Sequence, residues 1–299
     1  MKRILLLLAL SGVIPVYSQV ELEDDFNEEN GGYCIFRVKS KAPGIYSVYL
    51  DVRQADNFGG PVKQVLVVST PCEVFRLKQE DPTKVGRVGY RYWCIEGDAK
   101  ARRDTNFVYR LPYSVHKNTV RAFSKINDGE QHPFITTTFL TDKRDTVYAA
   151  RKGQVIRTEY NYDNPDNSEL VFTTKINRVT IVHDDGTTAN YLGVEKGGFL
   201  VREGDMVYPD TPIAMTGPFG GEGHGFFFTI SYPVLTGEED SPLARHYYSP
   251  VFATSEGEKR LENNTVYIAK ADYGLITREM KGREKKKYEQ SKAIAPAGK

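Results

Sequence analysis

The 299-residue chain is poor in sulfur and tryptophan, with three cysteines, four methionines and one Trp. Cys34, Cys72 and Cys94 are separated by 37 and 21 residues. No C-x2-4-C knuckle is present, which disfavours a zinc site built from cysteine. These cysteines are expected in the core, with or without one bridge, and the sequence leaves all three pairings open. No charge sign dominates: the net charge is +1, so there is no global basic field to suggest nucleic acid. Nucleotide-cradling glycine motifs are missing, and so is the G-x-S-x-G elbow of serine hydrolases. No stretch after the N-terminus is long and apolar enough to span a bilayer, which takes ~20 apolar residues.

What the chain does have is aromatic area. Nineteen Tyr and fifteen Phe are too many for a chain disordered throughout. The length suits about two domains of ~100–200 residues. Residues 1–18 carry charge +2, residues 277–299 carry +5, and the body between them about −6. The composition is that of a mildly acidic body with a basic tail.

Lys2 and Arg3 precede the apolar run Ile4–Leu10, and small or turn residues follow to Ser18. This is the pattern of a cleaved signal peptide over residues 1–18. A membrane anchor is the weaker reading, because the run is short and Pro15 interrupts it. The expectation is an exported protein with no transmembrane segment once the signal is removed, in the periplasm or at the outer membrane of a Gram-negative bacterium. Residues 19–32 follow as an acidic leader, with Glu21–Gly32 expected to be mobile.

Strand patterns then succeed one another. Tyr46, Val48, Leu50 and Val52 alternate with Ser47 and Asp51, the period of a half-buried strand. Val62–Ser69, Glu73–Leu77 and Val85–Ile95 repeat the pattern, with turn residues between them. Short strands at this spacing predict an all-β protein whose residues 33–112 form an immunoglobulin-like sandwich. Residues 113–276 form a second β-rich domain. In it Asn177–His183 and Thr187–Val194 flank Asp184-Asp185-Gly186, a hairpin signal. Residues 277–299 read as a frayed helix or disordered basic tail.

Three segments of the second domain carry a family resemblance. Asp145-Thr-Val-Tyr-Ala-Ala-Arg-Lys-Gly-Gln-Val-Ile156 is similar to a "G-T-P-V-Y-A-A-x-x-G-x-V" strand. His183-Asp-Asp-Gly-Thr-Thr-Ala-Asn-Tyr-Leu192 resembles an "H-x-D-G-x-x-x-x-Y-x-H-L" hairpin. Val201-Arg-Glu-Gly-Asp-Met-Val207, with Pro212, Ile213 and Gly217, resembles "V-x-x-G-D-x-V…P-I-…-G". In this order and spacing they resemble the lysostaphin-type (LytM-like) peptidoglycan endopeptidases. The N-terminal layout, with Tyr109–Tyr113 as "Y-x-L-P-Y", resembles two-domain exported members from Bacteroidota. Lipoyl and biotinyl carriers share the Gly-Asp-x-Val strand but need a modified lysine at a hairpin tip. Here the tip is Asp184-Asp185-Gly186.

The resemblance implies a zinc site of His, Asp and His, with two assisting His, and the chain departs from it. Thr138 stands at the family Asp position, Gly193 at the hairpin His, and Gly225 and Phe227 at the closing H-x-H. The upstream His position falls near Gly129, with His132 three residues away. His224 lies one residue from the first closing His, and a one-residue shift along a strand turns a side chain to the opposite face. A bulge at Gly223 or Gly225 is the one way to restore it. His183 matches a family His that is not a ligand, and His116 and His246 lie outside every motif. Phe226 and Phe228 are expected on one face, with Phe227 turned into the former site.

The resemblance therefore implies a degenerate, non-catalytic member with no cofactor. It would bind an envelope protein partner, peptidoglycan or both, as scaffold, regulator or assembly subunit. The alternative is an active zinc endopeptidase with a rearranged site at His132, His183 or His224. A carbohydrate-binding or adhesin-like role is the third possibility.

Overall fold

The computed structural model describes residues 20–27, 32–40, 43–69, 72–114, 120–127, 134–163, 175–220 and 223–294. The expected signal peptide, His116, Gly129, His132 and the last five residues of the tail lie outside the described residues. Among the described residues the fold is all-β apart from two short C-terminal helices. It divides into two compact units. One comprises the chain through Arg103 together with Asp185–Thr188 and Ser231–Tyr247. The other comprises Asp104–Asp184, Ala189–Ile230 and Tyr248 onward.

Six strands open the first unit: β1 (Val20–Asn27), β2 (Tyr33–Ser40), β3 (Ile45–Asp56), β4 (Val62–Ser69), β5 (Cys72–Lys78) and β6 (Arg87–Glu96). They form two three-stranded sheets of order β1-β2-β5 and β4-β3-β6. These are the strand orders A-B-E and C′-C-F of an immunoglobulin-type sandwich. The inward positions of both sheets build one core, in which Cys34, Phe36 and Val38 of β2 meet Val48, Leu50 and Val52 of β3 and Tyr90 of β6.

Two expectations are corrected here. The acidic leader is ordered strand over its described part, because Val20, Leu22 and Phe26 alternate inward. Its acids are matched by Lys39 to Glu23, Arg37 to Asp25, and the Tyr90 hydroxyl to Asp24. β3 is buried on both faces at its centre, where Ser47 and Asp51 are as hidden as Leu50. Ser47 accepts from Ala99 N and donates to Gly97 O, and Asp51 holds Arg53 at 2.8 Å.

The second unit starts with β7 (Val108–Arg110), β8 (Val120–Asn127), β9 (Phe134–Thr141), β10 (Thr146–Tyr148) and β11 (Gly153–Glu159). Next come β12 (Arg178–Val182), β13 (Thr188–Leu192), β14 (Met206–Val207), β15 (Pro212–Met215), β16 (Gly217–Phe219) and β17 (Gly223–Leu235). β18 (Leu243–Tyr248), β19 (Val251–Thr254), β20 (Gly257–Arg260), β21 (Thr265–Tyr267), α1 (Tyr273–Thr277) and α2 (Gly282–Ile294) complete the chain. β13 has its first residue, and β17 and β18 their adjoining halves, in the first unit.

The large sheet has order β14-β11-β12-β13-β17-β9-β8-β21, with β16 and β18 also on β17. The three segments that carry the family resemblance contain β10, β13 and β14 and parts of β11 and β15, and β12–β13 is the hairpin expected around Asp184-Asp185-Gly186. Phe139 of β9 is the centre of the core, with Phe226, Phe252 and Tyr113 at ring distances of 5.4, 5.9 and 5.9 Å. Buried tyrosine hydroxyls are all matched: Tyr109 to Tyr248, Tyr113 to Tyr267 O, and Tyr191 accepting from Ala150 N. The tail is helical, not disordered, through Ile294.

Leu50 is fully buried in the sandwich core. Leu50→Ala is expected to cost about 2–5 kcal/mol in a denaturant titration. Lys39→Ala, which removes an exposed ion pair with Glu23, should cost under ~1 kcal/mol.

Candidate functional site

The antiparallel pairing of β9 and β17 sets the site. Phe227 lies directly opposite Thr138, Gly225 opposite Leu140, and His224 opposite Thr141, with no shift of register. Two positions at which the resemblance implies zinc ligands therefore meet across one rung, and they hold a hydroxyl and a phenyl ring. Phe226 and Phe228 face the core against Phe139 and Tyr191. Phe227 faces the other way and packs edge-on against Phe219 of β16, 5.4 Å between ring centres.

The glycines close the site further. A Cβ on Gly225 would lie 2.5 Å from the Phe139 carbonyl oxygen and 3.0 Å from Leu140 Cδ2. No imidazole fits there without moving backbone. Gly193, at the hairpin His position, has φ +76° and donates its N–H to Asn177 O at 2.8 Å. Side chains other than glycine rarely adopt that conformation.

The described histidines do not converge on this rung. His224 shares the face of Phe226 by alternation, and the regular register leaves no bulge to reverse it. His183 is buried at the end of β12, donating Nδ1–H to Lys152 O at 2.7 Å, its ring 6.0 Å from Tyr109. Among the described residues no three His, Cys, Asp or Glu side chains form a group that could hold a metal. Thr138, Gly225 and Phe227 offer zinc no charged or imidazole donor, so these positions do not fit it.

Cysteine chemistry is also absent from the described site. All three cysteines are free. Burial, with Asp24 and Asp25 adding to it, pushes the Cys34 thiol up to about 12. Burial pushes Cys94 up to about 12 as well and raises Cys72. Protonated thiols are poor nucleophiles.

A polar row crosses the face that carries Phe227 and Thr138. Thr180 of β12 donates to Asn190 of β13 at 2.9 Å, and Asn190 donates to Thr229 of β17 at 3.3 Å. Arg157 of β11 stands opposite Thr180 in register. Glu159 pairs with Arg178 at 2.7 Å. Thr136, two residues before Thr138, is 1% exposed, and its Oγ1 has no hydrogen-bond partner among the described residues. The row brings amide, hydroxyl and guanidinium groups together beside an aromatic pair, with Thr180, Thr229 and Phe227 themselves buried.

A second cluster is marked by no motif. Arg151 and Lys152, the variable pair in the first resembling segment, are both buried. The Arg151 guanidinium lies 3.8 Å from the Phe107 ring centre and grips Glu279 through Nη2 at 2.8 Å and Nε at 3.1 Å. Lys152 pairs with Glu284 at 3.1 Å, and the Tyr208 hydroxyl donates to the same carboxylate at 2.9 Å. The available signal was two consecutive cations between Ala150 and Gly153, with acids recurring in the tail at 279 and 284.

No family model matches the chain, and no curated protein matches it significantly.

Two outcomes are expected. Gly225→His should cost about 3 kcal/mol or more, because backbone must move. Phe227→His should fold with a loss of about 1–3 kcal/mol of apolar burial. Equal thermal stability of the two variants would contradict the closure described. Hydrogen bonds, first from Lys281 N and then from Lys152 and Tyr208, hold the Glu284 carboxyl below its usual 4.5. A carboxyl depressed in the folded state stabilises above its unfolded pKa and loses that contribution as the pH falls through the lowered value. Trypsin cleavage at Lys285–Lys287 should accordingly be slow at neutral pH. Hydrogen-exchange protection of α2, corrected for the intrinsic rate at each pH, should likewise fall below the usual carboxylate range.

Proposed function

We propose that the second unit is a LytM-like domain without catalytic function, acting as a binding module of an exported envelope protein. Its partner is an envelope protein, peptidoglycan or both, taken up along the Arg157–Thr180–Asn190–Thr229 row beside Phe227 and Phe219. The observation that carries the reading is the Phe227–Thr138 rung. The positions aligned with the family at Thr138 and Phe227 fall on neighbouring strands, where the two expected ligand positions oppose each other. Yet neither side chain can do the family's chemistry. A water-activating zinc needs three protein ligands and an open position, and the described residues supply none on this face. The fold tolerates this because Phe219 and Phe227 fill the space with apolar contact. Localisation in the periplasm or at the outer membrane goes with the same reading and rests on residues 1–18.

The test is the zinc content of the purified chain from residue 19 onward, with the clearing of a peptidoglycan suspension in added zinc. Far less than one zinc per chain and no clearing are expected. A photo-crosslinker at Asn190 should trap an envelope component in cells, and one at Lys143, on an exposed turn, should not. Stoichiometric zinc, with clearing lost in His132→Ala or His224→Ala, would replace this reading with an active endopeptidase.

A further inference from the structure

The chain from Arg278 to Glu289 holds six cations and three acids, and the fold separates them. Glu279 is turned to Arg151, Glu284 to Lys152 and Tyr208, and Glu289 to the Tyr273 hydroxyl. Lys285 lies 4.9 Å from the Tyr273 ring centre, on the same inner side. Arg278 forms an exposed pair with Glu258 at 3.6 Å. Lys281, Arg283, Lys286 and Lys287 remain exposed, with no ion pair among the described residues.

On α2 the positions 283, 286 and 287 are spaced i, i+3, i+4 and share one helix face. Gln290 extends it at i+7, and the half-buried Glu284, Lys285 and Tyr288 lie on the remaining arc. The outer face is therefore a cationic stripe, with Glu279 and Glu284 turned inward and the exposed Glu289 held at its edge by the Tyr273 hydroxyl. No exposed apolar side chain accompanies it between Lys281 and Gln290, so α2 lacks the apolar face by which interfacial helices insert. It carries no exposed aromatic group on which bases could stack. Three of the four exposed cations are lysines, strongly hydrated point charges that respond to a diffuse field and do not clamp one planar anion.

We propose that this outer face of α2 is an electrostatic docking surface for an anionic lipid bilayer, bound at the headgroup level without insertion. A flat field of phosphate charge matches a straight stripe that has no pocket. Each cation near such a surface contributes about fivefold in partition, the equivalent of about 1 kcal/mol per Lys or Arg. The inference rests on α2 alone and is independent of the sheet face described above.

The experiment is sedimentation of the full chain with vesicles of phosphatidylcholine containing about 30 mol% phosphatidylglycerol, against phosphatidylcholine alone. Partition to the anionic vesicles only is expected, lost at about 0.5 M salt. The triple variant Arg283→Gln, Lys286→Gln, Lys287→Gln should bind roughly a hundredfold more weakly with unchanged thermal unfolding. A control triple of equal charge, Arg87→Gln, Lys143→Gln, Arg202→Gln, removes exposed cations elsewhere and should bind as the parent does. No partition of the parent chain overturns the proposal, as does equal loss in both triples or binding to neutral vesicles. Capture by immobilised polyglutamate without partition to vesicles overturns it in favour of an acidic protein partner.

Discussion

Phe227 faces Thr138 across β17 and β9, and that register governs the whole second unit. Phe226 and Phe228, on either side, are buried against Phe139 and Tyr191. Burial of each phenyl contributes about 1.5–3 kcal/mol. A slip of one residue would turn both to the other face and bring Thr229 and Phe227 inward. The same alternation that secures the core therefore dictates which side chains look out over the site, and it leaves His224 on the wrong side.

Apolar packing and backbone proximity together close the positions at which the resemblance implies zinc ligands. Phe219 and Phe227 occupy the volume, and the Phe139 carbonyl approaches Gly225 too closely for any side chain. Gly193 needs a backbone conformation that a histidine would strain. The hydrogen-bonded row from Thr180 to Thr229 survives beside them. Fold and chemistry are separable, so the architecture of the sheet does not by itself fix what these positions do.

Much of the fold was legible because strands with one buried face alternate with period two. β3, β4, β6 and the β12–β13 hairpin stand close to where their patterns place them. β1 was harder to see, since its density of acids hides the alternation of Val20, Leu22 and Phe26. Those acids are tolerated by cations and a tyrosine supplied by other strands. In the candidate site, the replaced residues Thr138, Gly193, Gly225 and Phe227 were readable one by one. The meeting of Thr138 and Phe227 across a single rung, and the clash awaiting a side chain at Gly225, were not.

The sequence by itself determined the all-β class, the hairpin turn and the inward set of aromatic residues, because each follows from local periodicity and turn chemistry. Only tertiary structure decided the ion pairing of Arg151 and Lys152 with the tail, the burial of Ser47 and Asp51, and the outward cations of α2. Those features depend on which distant segments meet. Charge and burial are properties of the assembled neighbourhood, and no short stretch of chain contains that information.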